Sequence, residues 1–272
     1  MDNGADLAII SGSGKLPELI SSFYSKSIRI AFSESETIQA SRFVTCEFEK
    51  LGFLFDTLKK RGIKRVVMAG AISRPKFDKT KLDKYTFSIM PQLSEKLVKG
   101  DNELLSFIAD EFEKKGYQIV GASQIIPNIT LDEGFICGSS YDTLSRDIKK
   151  ADNILKILSS EDIGQGVVIE NGLVLGIETL QGTNELLKFV ARTPSHLRAS
   201  SLGGIFVKRP KSDQDLRFDM PVIGSETISL ACQAGLRGLV ISPSSVIILE
   251  RSQCIEIAEA NDFFILARES VS

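Results

Sequence analysis

Residues 7–19 read LAIISGSGKLPEL, and this stretch decides the fold. Leu7–Ser11 is a short apolar run of strand length, Gly12-Ser13-Gly14 is a turn, and a helix follows over about Leu16–Tyr24. Strand, Gly-rich turn and helix in that order open a βαβ unit. The pattern repeats outward from there. Ile28–Phe32 reads as a second strand, and Leu51–Lys60 as a helix from the spacing of Leu51, Leu54, Phe55 and Leu58. Arg65–Ala69 runs Val66-Val67-Met68 without alternation, the mark of a strand buried on both faces. Asp101–Lys115 carries the stripe Leu104, Leu105, Ile108 and Phe112, with acids at its positive end and Lys114, Lys115 and Gly116 at its stop. Gln118–Gly121 returns as a strand. Strands alternating with helices predict a Rossmann-like α/β domain over residues 1–130, its mostly parallel sheet covered on both faces.

Residues 128–141 break this rhythm with Gly134, Gly138 and paired serines, and 131–141 reads as a linker. Beyond it, Asp142 is placed to cap a helix whose buried face is Leu144, Ile148, Ala151, Leu155 and Leu158. Gly166–Glu170 and Leu173–Glu178 flank Asn171-Gly172, a strong hairpin signal. A helix over about Glu185–Arg192 and a strand at Gly204–Lys208 come next. Phe218–Gly224 reads as extended and Glu226–Ala234 as helical. Strands at Leu239–Ser242 and Val246–Leu249, a helix at Gln253–Ala260 and a strand at Phe263–Ala267 close the chain. This predicts a second α/β domain over 142–272, with a mixed sheet.

Composition removes several function classes. The chain has 272 residues, room for two domains, and 33 Lys+Arg against 35 Asp+Glu give a formal charge of −2. Near-neutrality argues against a sequence-independent nucleic-acid binder. There is one histidine, His196, and the four cysteines Cys46, Cys137, Cys232 and Cys254 form no CxxC pair. Neither a structural zinc site nor a His-rich dimetal centre can be assembled from this set. No GxSxG elbow serves His196 for a catalytic triad. The cysteines fit small buried hydrophobes of a reducing compartment. The opening MDNGADLAII lacks the basic start of a signal peptide, and no apolar run nears the ~18 residues of a spanning helix. A cytoplasmic location is expected.

Four stretches carry candidate chemistry. Gly12, Ser13, Gly14 and Lys15 enter a helix, where backbone N–H groups and the helix dipole can hold phosphate. Pro17 breaks the dinucleotide GxGxxG, and no GKS or GKT makes a Walker loop, so a plain tight turn is the competing reading. Arg74 follows Ala69-Gly70 at the end of a buried strand, where open α/β sheets bind ligands. A surface ion pair would explain it equally. Gly100-Asp101-Asn102 and Gln181-Gly182-Thr183-Asn184 are each explained by helix capping alone. From Lys208 to Asp219, four basic residues and three carboxylates alternate within twelve positions beside an apolar segment. Cations beside carboxylates suit a phosphate with its Mg²⁺, and the apolar neighbour would draw Asp219 inward. Separately, Lys59, Lys60, Arg61, Lys64 and Arg65 form a basic cluster. Helix-end solvation accounts for it, or contact with anionic lipid.

Six of these motifs, taken in order, carry a resemblance: LAIISGSGKLPEL (7–19), AGAISRP (69–75), GDNELL (100–105), DIGQGVV (162–168), ETLQGTNELL (178–187) and KRPKSDQDLRFDMPVIG (208–224). The chain resembles the two-domain UDP-2,3-diacylglucosamine pyrophosphatase family of lipid A biosynthesis, the type without a His-rich dimetal centre. The likeness spans residues 7–266. It implies two α/β domains with substrate held between them. It also implies Mg²⁺-assisted hydrolysis of UDP-2,3-diacylglucosamine to UMP and 2,3-diacylglucosamine 1-phosphate, water attacking the α-phosphorus.

The family's essential aspartate falls on Asp219, as metal ligand or general base. On this reading Asp215 and Asp101 are further candidate metal ligands. Lys208, Lys211 and Arg217 neutralise the diphosphate. Gln214, Arg74, Gly12, Ser13, Gly14, Lys15, Gly182 and Thr183 bind substrate. A lipid substrate implies a transient peripheral contact with the inner membrane, and a homodimer is left open. The chain departs from the family at Asn102, Gln181 and Asn184, where carboxylates are usual; amides can ligate Mg²⁺ but bring no charge and no base. Those three amides support an alternative, a binding homologue with weakened turnover. A dinucleotide enzyme is a third reading, resting on Gly12-Ser13-Gly14 alone.

Overall fold

A computed structural model describes residues 4–32, 42–72, 77–138, 144–198 and 203–270. The chain forms two α/β units that do not part at a single point. The first runs to Pro127 and takes back Asp215–Asp219; the second holds Asn128–Gln214 and resumes at Met220.

The first unit runs β1 (Leu7–Ser11), α1 (Leu16–Phe23), β2 (Ile28–Phe32), β3 (Phe43–Cys46), α2 (Leu51–Lys60), β4 (Arg65–Ala69), α3 (Lys84–Lys99), α4 (Asp101–Lys114), β5 (Gln118–Ile119) and α5 (Ala122–Ile125). Its sheet has the order β3-β2-β1-β4-β5 with every pair parallel. The chain builds outward through β2 and β3, then returns to the far side of β1 as β4. That reversal makes the carboxyl ends of β1 and β4 a topological switch point. On one face Ala8, Ile10, Ile30, Val66 and Met68 meet Leu54, Leu58, Leu93 and Phe112 of α2, α3 and α4. Leu7, Ile9 and Val67 alternate to the other face and are fully buried there.

Helix α3 was not legible in the sequence, because Pro91 sits inside it. Its start is held by Asp83, whose Oδ1 accepts the Thr86 N–H (2.8 Å) and whose Oδ2 accepts the Phe53 N–H (3.1 Å). Strand β5 is also shorter than expected, because α5 starts at Ala122.

The second unit runs β6 (Gly134–Cys137), α6 (Leu144–Ser160), β7 (Gly166–Glu170), β8 (Leu173–Ile177), α7 (Thr183–Ala191), β9 (Ile205–Lys208), β10 (Val222–Ile223), α8 (Ser225–Gln233), β11 (Gly238–Ile241), β12 (Ile247–Ile248), α9 (Arg251–Ala260) and β13 (Phe264–Ala267). Its main sheet, β6-β13-β11-β9-β7-β8, is mixed: β9, β11 and β13 are parallel, while β6, β7 and β8 pair antiparallel. The Asn171-Gly172 turn has both φ angles positive (47° and 84°), as expected of its hairpin. The buried Asp147 carboxylate accepts both turn N–H groups at 2.9 Å.

Two expectations need correction. Residues 131–138 are not a spacer: Leu131 is buried in the second core, its carbonyl accepts the Ser244 N–H (2.9 Å), and β6 pairs with β13. Gly138 reflects close packing rather than a loose connection, since a Cβ there would lie 2.5 Å from that of Phe264. Asp142, the expected cap of α6, lies outside the described residues. Phe218–Gly224 is not one extended segment either, because residues 215–219 form a turn and only Val222–Ile223 pair as a strand.

Among the described residues no helix is long and apolar enough to cross a membrane. The cysteines are unpaired, and burial pushes the Cys46 thiol up to about 12.

Candidate active site

At the switch point of the first unit, the loops leaving β1 and β4 are bound to each other. The Gly12 N–H donates to the Ala69 carbonyl (2.8 Å), Ser13 N–H to Ala71 O (2.8 Å), Ala71 N–H to Ser13 O (3.0 Å) and Ser13 Oγ to Ala71 O (3.2 Å). A Cβ on Gly12 would stand 2.4 Å from Ala71 O, and one on Gly70 2.4 Å from Ser13 O, so only glycines let the loops meet. This corrects the proposed phosphate cradle: the Gly12 and Ser13 N–H groups are committed to carbonyls. Gly14 and Lys15 remain at the entrance of α1. Pro17 occupies the first turn of that helix, where its missing N–H costs nothing. Arg74 lies outside the described residues.

The turn Asp215–Asp219 belongs to this same unit, and its sequence explains its shape. Phe218 N–H (3.2 Å) and Asp219 N–H (3.0 Å) both donate to the Asp215 carbonyl. The Arg217 guanidinium grips the Asp215 carboxylate through Nε (3.1 and 3.0 Å) and Nη2 (2.7 Å), while Nη1 donates to Glu113 of α4 (2.6 Å). Phe218 packs on the core of the first unit. Gly121, just past β5, has the Arg217 Cα 3.2 Å from where its own Cβ would be. The turn therefore lies against the carboxyl edge of the parallel sheet, the edge that also carries the Gly12 and Gly70 loops. It ends on Asp219, which is half-buried.

This geometry reassigns two expected roles. Arg217 faces two carboxylates already, so it staples the turn to α4 and is not an open cation for a diphosphate. Asp215 is its counterpart: the Arg217 hydrogen bonds hold the Asp215 carboxyl below the usual carboxylate range. It keeps its charge and gives it to Arg217.

In the second unit, Lys208 ends β9 almost fully buried. Its Nζ donates to both oxygens of Glu178 (3.1 and 2.9 Å) and to Thr183 Oγ1 (2.8 Å), and Thr183 Oγ1 donates to Glu178 Oε1 (3.0 Å). All three ammonium protons are thus used. Lys208 is a buried structural ion pair, a correction to its expected place on the diphosphate. Lys211 pairs through Nζ with Asp162, and its N–H donates to Gln214 Oε1 (2.9 Å). Gln214 is buried, and its Nε2 has no hydrogen-bond partner. Gly182 begins α7 with φ 83° and lines a cavity of about 280 Å³ with Thr179, Gln181 and Glu185. In that cavity Thr179 Oγ1 donates to the Gln181 amide oxygen. His196 is exposed.

Sequence reasoning missed Glu178, Arg209, Asp152 and Glu113. Arg209 crosses the carboxyl ends of the parallel strands: Nε donates to Asp152 Oδ1 (3.0 Å), Nη1 to Ser242 Oγ (3.3 Å) and to the Arg268 carbonyl. The available signal was Lys208-Arg209 itself, since two cations ending a buried strand require buried anions.

The metal expectation rested on Asp219, Asp215 and Asp101. Asp215 is engaged by Arg217, and the side chain of Asp101 is outside the described part of α4. Among the described residues no three acidic, Cys or His side chains gather as a cage. Asp219 suits the other common Mg²⁺ arrangement, one or two carboxylates completed by substrate phosphates and water.

Fold and site define a two-unit α/β protein with a Rossmann-type switch point in its N-terminal half and an acidic turn on that same sheet edge. The chain belongs to the LpxI family. The family's N-terminal domain model matches residues 6–129 and its C-terminal domain model residues 132–266. The chain is also 36% identical over 220 residues to the UDP-2,3-diacylglucosamine pyrophosphatase LpxI of Caulobacter vibrioides, a match covering 80% of this chain and 79% of that relative.

Proposed function

We propose that this chain hydrolyses the diphosphate of UDP-2,3-diacylglucosamine, giving UMP and 2,3-diacylglucosamine 1-phosphate, in lipid A biosynthesis. The observation that carries this reading is the match of both family domains together with 36% identity to a pyrophosphatase of that name. The reaction asks the protein mainly for positioning and charge stabilisation.

Asp219 is the group assigned to the chemistry. Its carboxylate would orient and deprotonate the attacking water, or hold Mg²⁺ against the diphosphate. Mg²⁺, when bound, would neutralise phosphate oxygens as their charge builds. The turn fixes where Asp219 can stand, since Arg217 binds it to both Asp215 and Glu113. The positive end of α1, at Gly14 and Lys15, would favour the substrate's phosphates. Gln214 Nε2 is a buried donor suited to a substrate oxygen.

The substrate's acyl chains favour membrane residence by ~0.8 kcal/mol per CH₂. Peripheral contact would be made by Lys59, Lys60 and Lys64, which are exposed. Arg65 is paired with Asp6 at 2.6 Å and contributes less than expected.

Incubation with UDP-2,3-diacylglucosamine and Mg²⁺ in ¹⁸O-water tests the reading: UMP should be released carrying the label. Label on the lipid phosphate would place attack at the β-phosphorus and overturn the mechanism. The amides at Asn102, Gln181 and Asn184 support the second reading, a substrate-binding homologue with weakened turnover. Substrate bound tightly without UMP release would favour it.

A further inference from the structure

The parallel sheet of the first unit has an edge, β2 and β3, where one face carries polar side chains. Arg29 lies on β2, and Ser27 sits just before that strand. With Ser21, Ser22, Ser25 and Arg42 they line a cavity of about 650 Å³. Three observations set this cavity apart from ordinary surface. Ser27 is 3% exposed and its Oγ has no hydrogen-bond partner. The Arg29 Nε is buried and likewise has none, although Nη2 donates to Ser11 Oγ at 3.1 Å. Arg42 enters the same cavity, anchored by Nη1 on the Ser25 carbonyl. Among the described residues no carboxylate forms an ion pair with either arginine.

Buried donors left without acceptors are costly, and in native proteins they usually mark a bound water or ion. We propose that this cavity is a binding site for a phosphate monoester, held by Ser27, Arg29 and Arg42. Two guanidiniums and a hydroxyl converge on one space, the pattern that recognises a tetrahedral oxyanion. The cavity exceeds a bare ion and leaves room for the group that carries the phosphate. Glu18, exposed on the rim, opposes an anion and sets the site's charge at two cations against one acid. The site is distinct from the switch point but adjoins it, because Arg29 binds Ser11, the residue before Gly12.

Calorimetric titration of the full chain with inorganic phosphate and with dihexanoyl phosphatidic acid tests this. The site requires that at least one probe binds. Arg42→Gln and Ser27→Ala should each weaken that binding about tenfold, and Glu18→Gln should tighten it. Arg42 and Glu18 are exposed, so those variants will fold. Tighter binding of the phosphatidic acid would identify a lipid headgroup as the natural source, and equal binding a free phosphate ester. Binding unchanged in Arg42→Gln places the anion elsewhere, and no binding of either probe removes the site.

Discussion

Lys208 and Glu178 form a buried ion pair in the second unit, with Nζ 2.9 and 3.1 Å from the two carboxylate oxygens and the third proton on Thr183. A buried pair of this kind is strongly destabilised by removing one partner, by ~3–5 kcal/mol, because the other charge is stranded. Lys208→Met and Glu178→Gln should each lower the unfolding free energy measured in urea by that amount. The double variant Lys208→Met, Glu178→Leu should fall well short of their sum. Normal stability in Lys208→Met, with only KM raised, would return the lysine to the substrate.

Asp219→Ala should lower UMP release by at least ~10²–10⁴-fold, the usual loss for a base or metal ligand. Asp219 is half-buried and follows the Arg217 staple rather than forming it, so circular dichroism and thermal midpoint should stay near wild type. A folded Asp219→Ala protein with near-normal turnover would sink the assignment.

Asp215 offers a pH test of the staple. Arg217 holds its carboxyl below the usual ~3.9 of an unfolded Asp, so its contribution is complete above that value. It is lost as pH falls through the lower, folded value. Asp215→Asn should therefore be less stable than wild type at pH 7, and the gap should close below about pH 4. The side chains are 39% and 32% exposed, so the gap is kept to about 1 kcal/mol. A gap that stays constant on acidification would assign the loss to packing.

Gly70 has φ 85° and faces the Ser13 carbonyl at a distance no Cβ tolerates. Gly70→Ala meets backbone on one side and left-handed strain on the other, together on the order of 2–3 kcal/mol. Because the clash lies between the β1 and β4 loops, UMP release should fall with stability. Wild-type kinetics in a stable Gly70→Ala protein would show that the loop–loop bridge is dispensable.

The parts of this fold that were legible in the sequence are those written in local pattern. Leu7–Ser11 and Arg65–Ala69 announce buried strands because nothing polar interrupts them, and Asn171-Gly172 announces its hairpin because few other dipeptides accept two positive φ angles. What escaped depends on partners far along the chain. The Asp215–Asp219 turn joins the first unit because Arg217 finds Glu113, 104 residues earlier, and no periodicity encodes that. Lys208 looked available for phosphate because its partner Glu178 lies 30 residues away. Gly134 and Gly138 imitated a linker, whereas Gly138 is required by the approach of Phe264 and Gly134 opens a paired strand. The six ordered motifs point to Asp219 as a candidate, while the Arg217 staple that shapes its turn is written in no motif.

Lys59, Lys60 and Lys64 stand exposed around the end of α2, whereas Arg65 is neutralised by Asp6 and Arg61 is half-buried. Near an anionic bilayer each exposed cation contributes about 1 kcal/mol, so three together amount to roughly a hundredfold in affinity. Vesicle flotation should therefore show binding to anionic lipid that drops by about that factor in Lys59→Gln, Lys60→Gln, Lys64→Gln. Raised salt should weaken wild-type binding, since exposed charges are screened beyond ~8 Å at physiological ionic strength. Neutral vesicles should bind both proteins equally and weakly. If the triple variant floats with anionic vesicles as well as wild type does, the lysines are only solvated surface. Docking would then fall to exposed apolar side chains, of which Leu180 (91% exposed) and Phe189 (64% exposed) are the most open around α7.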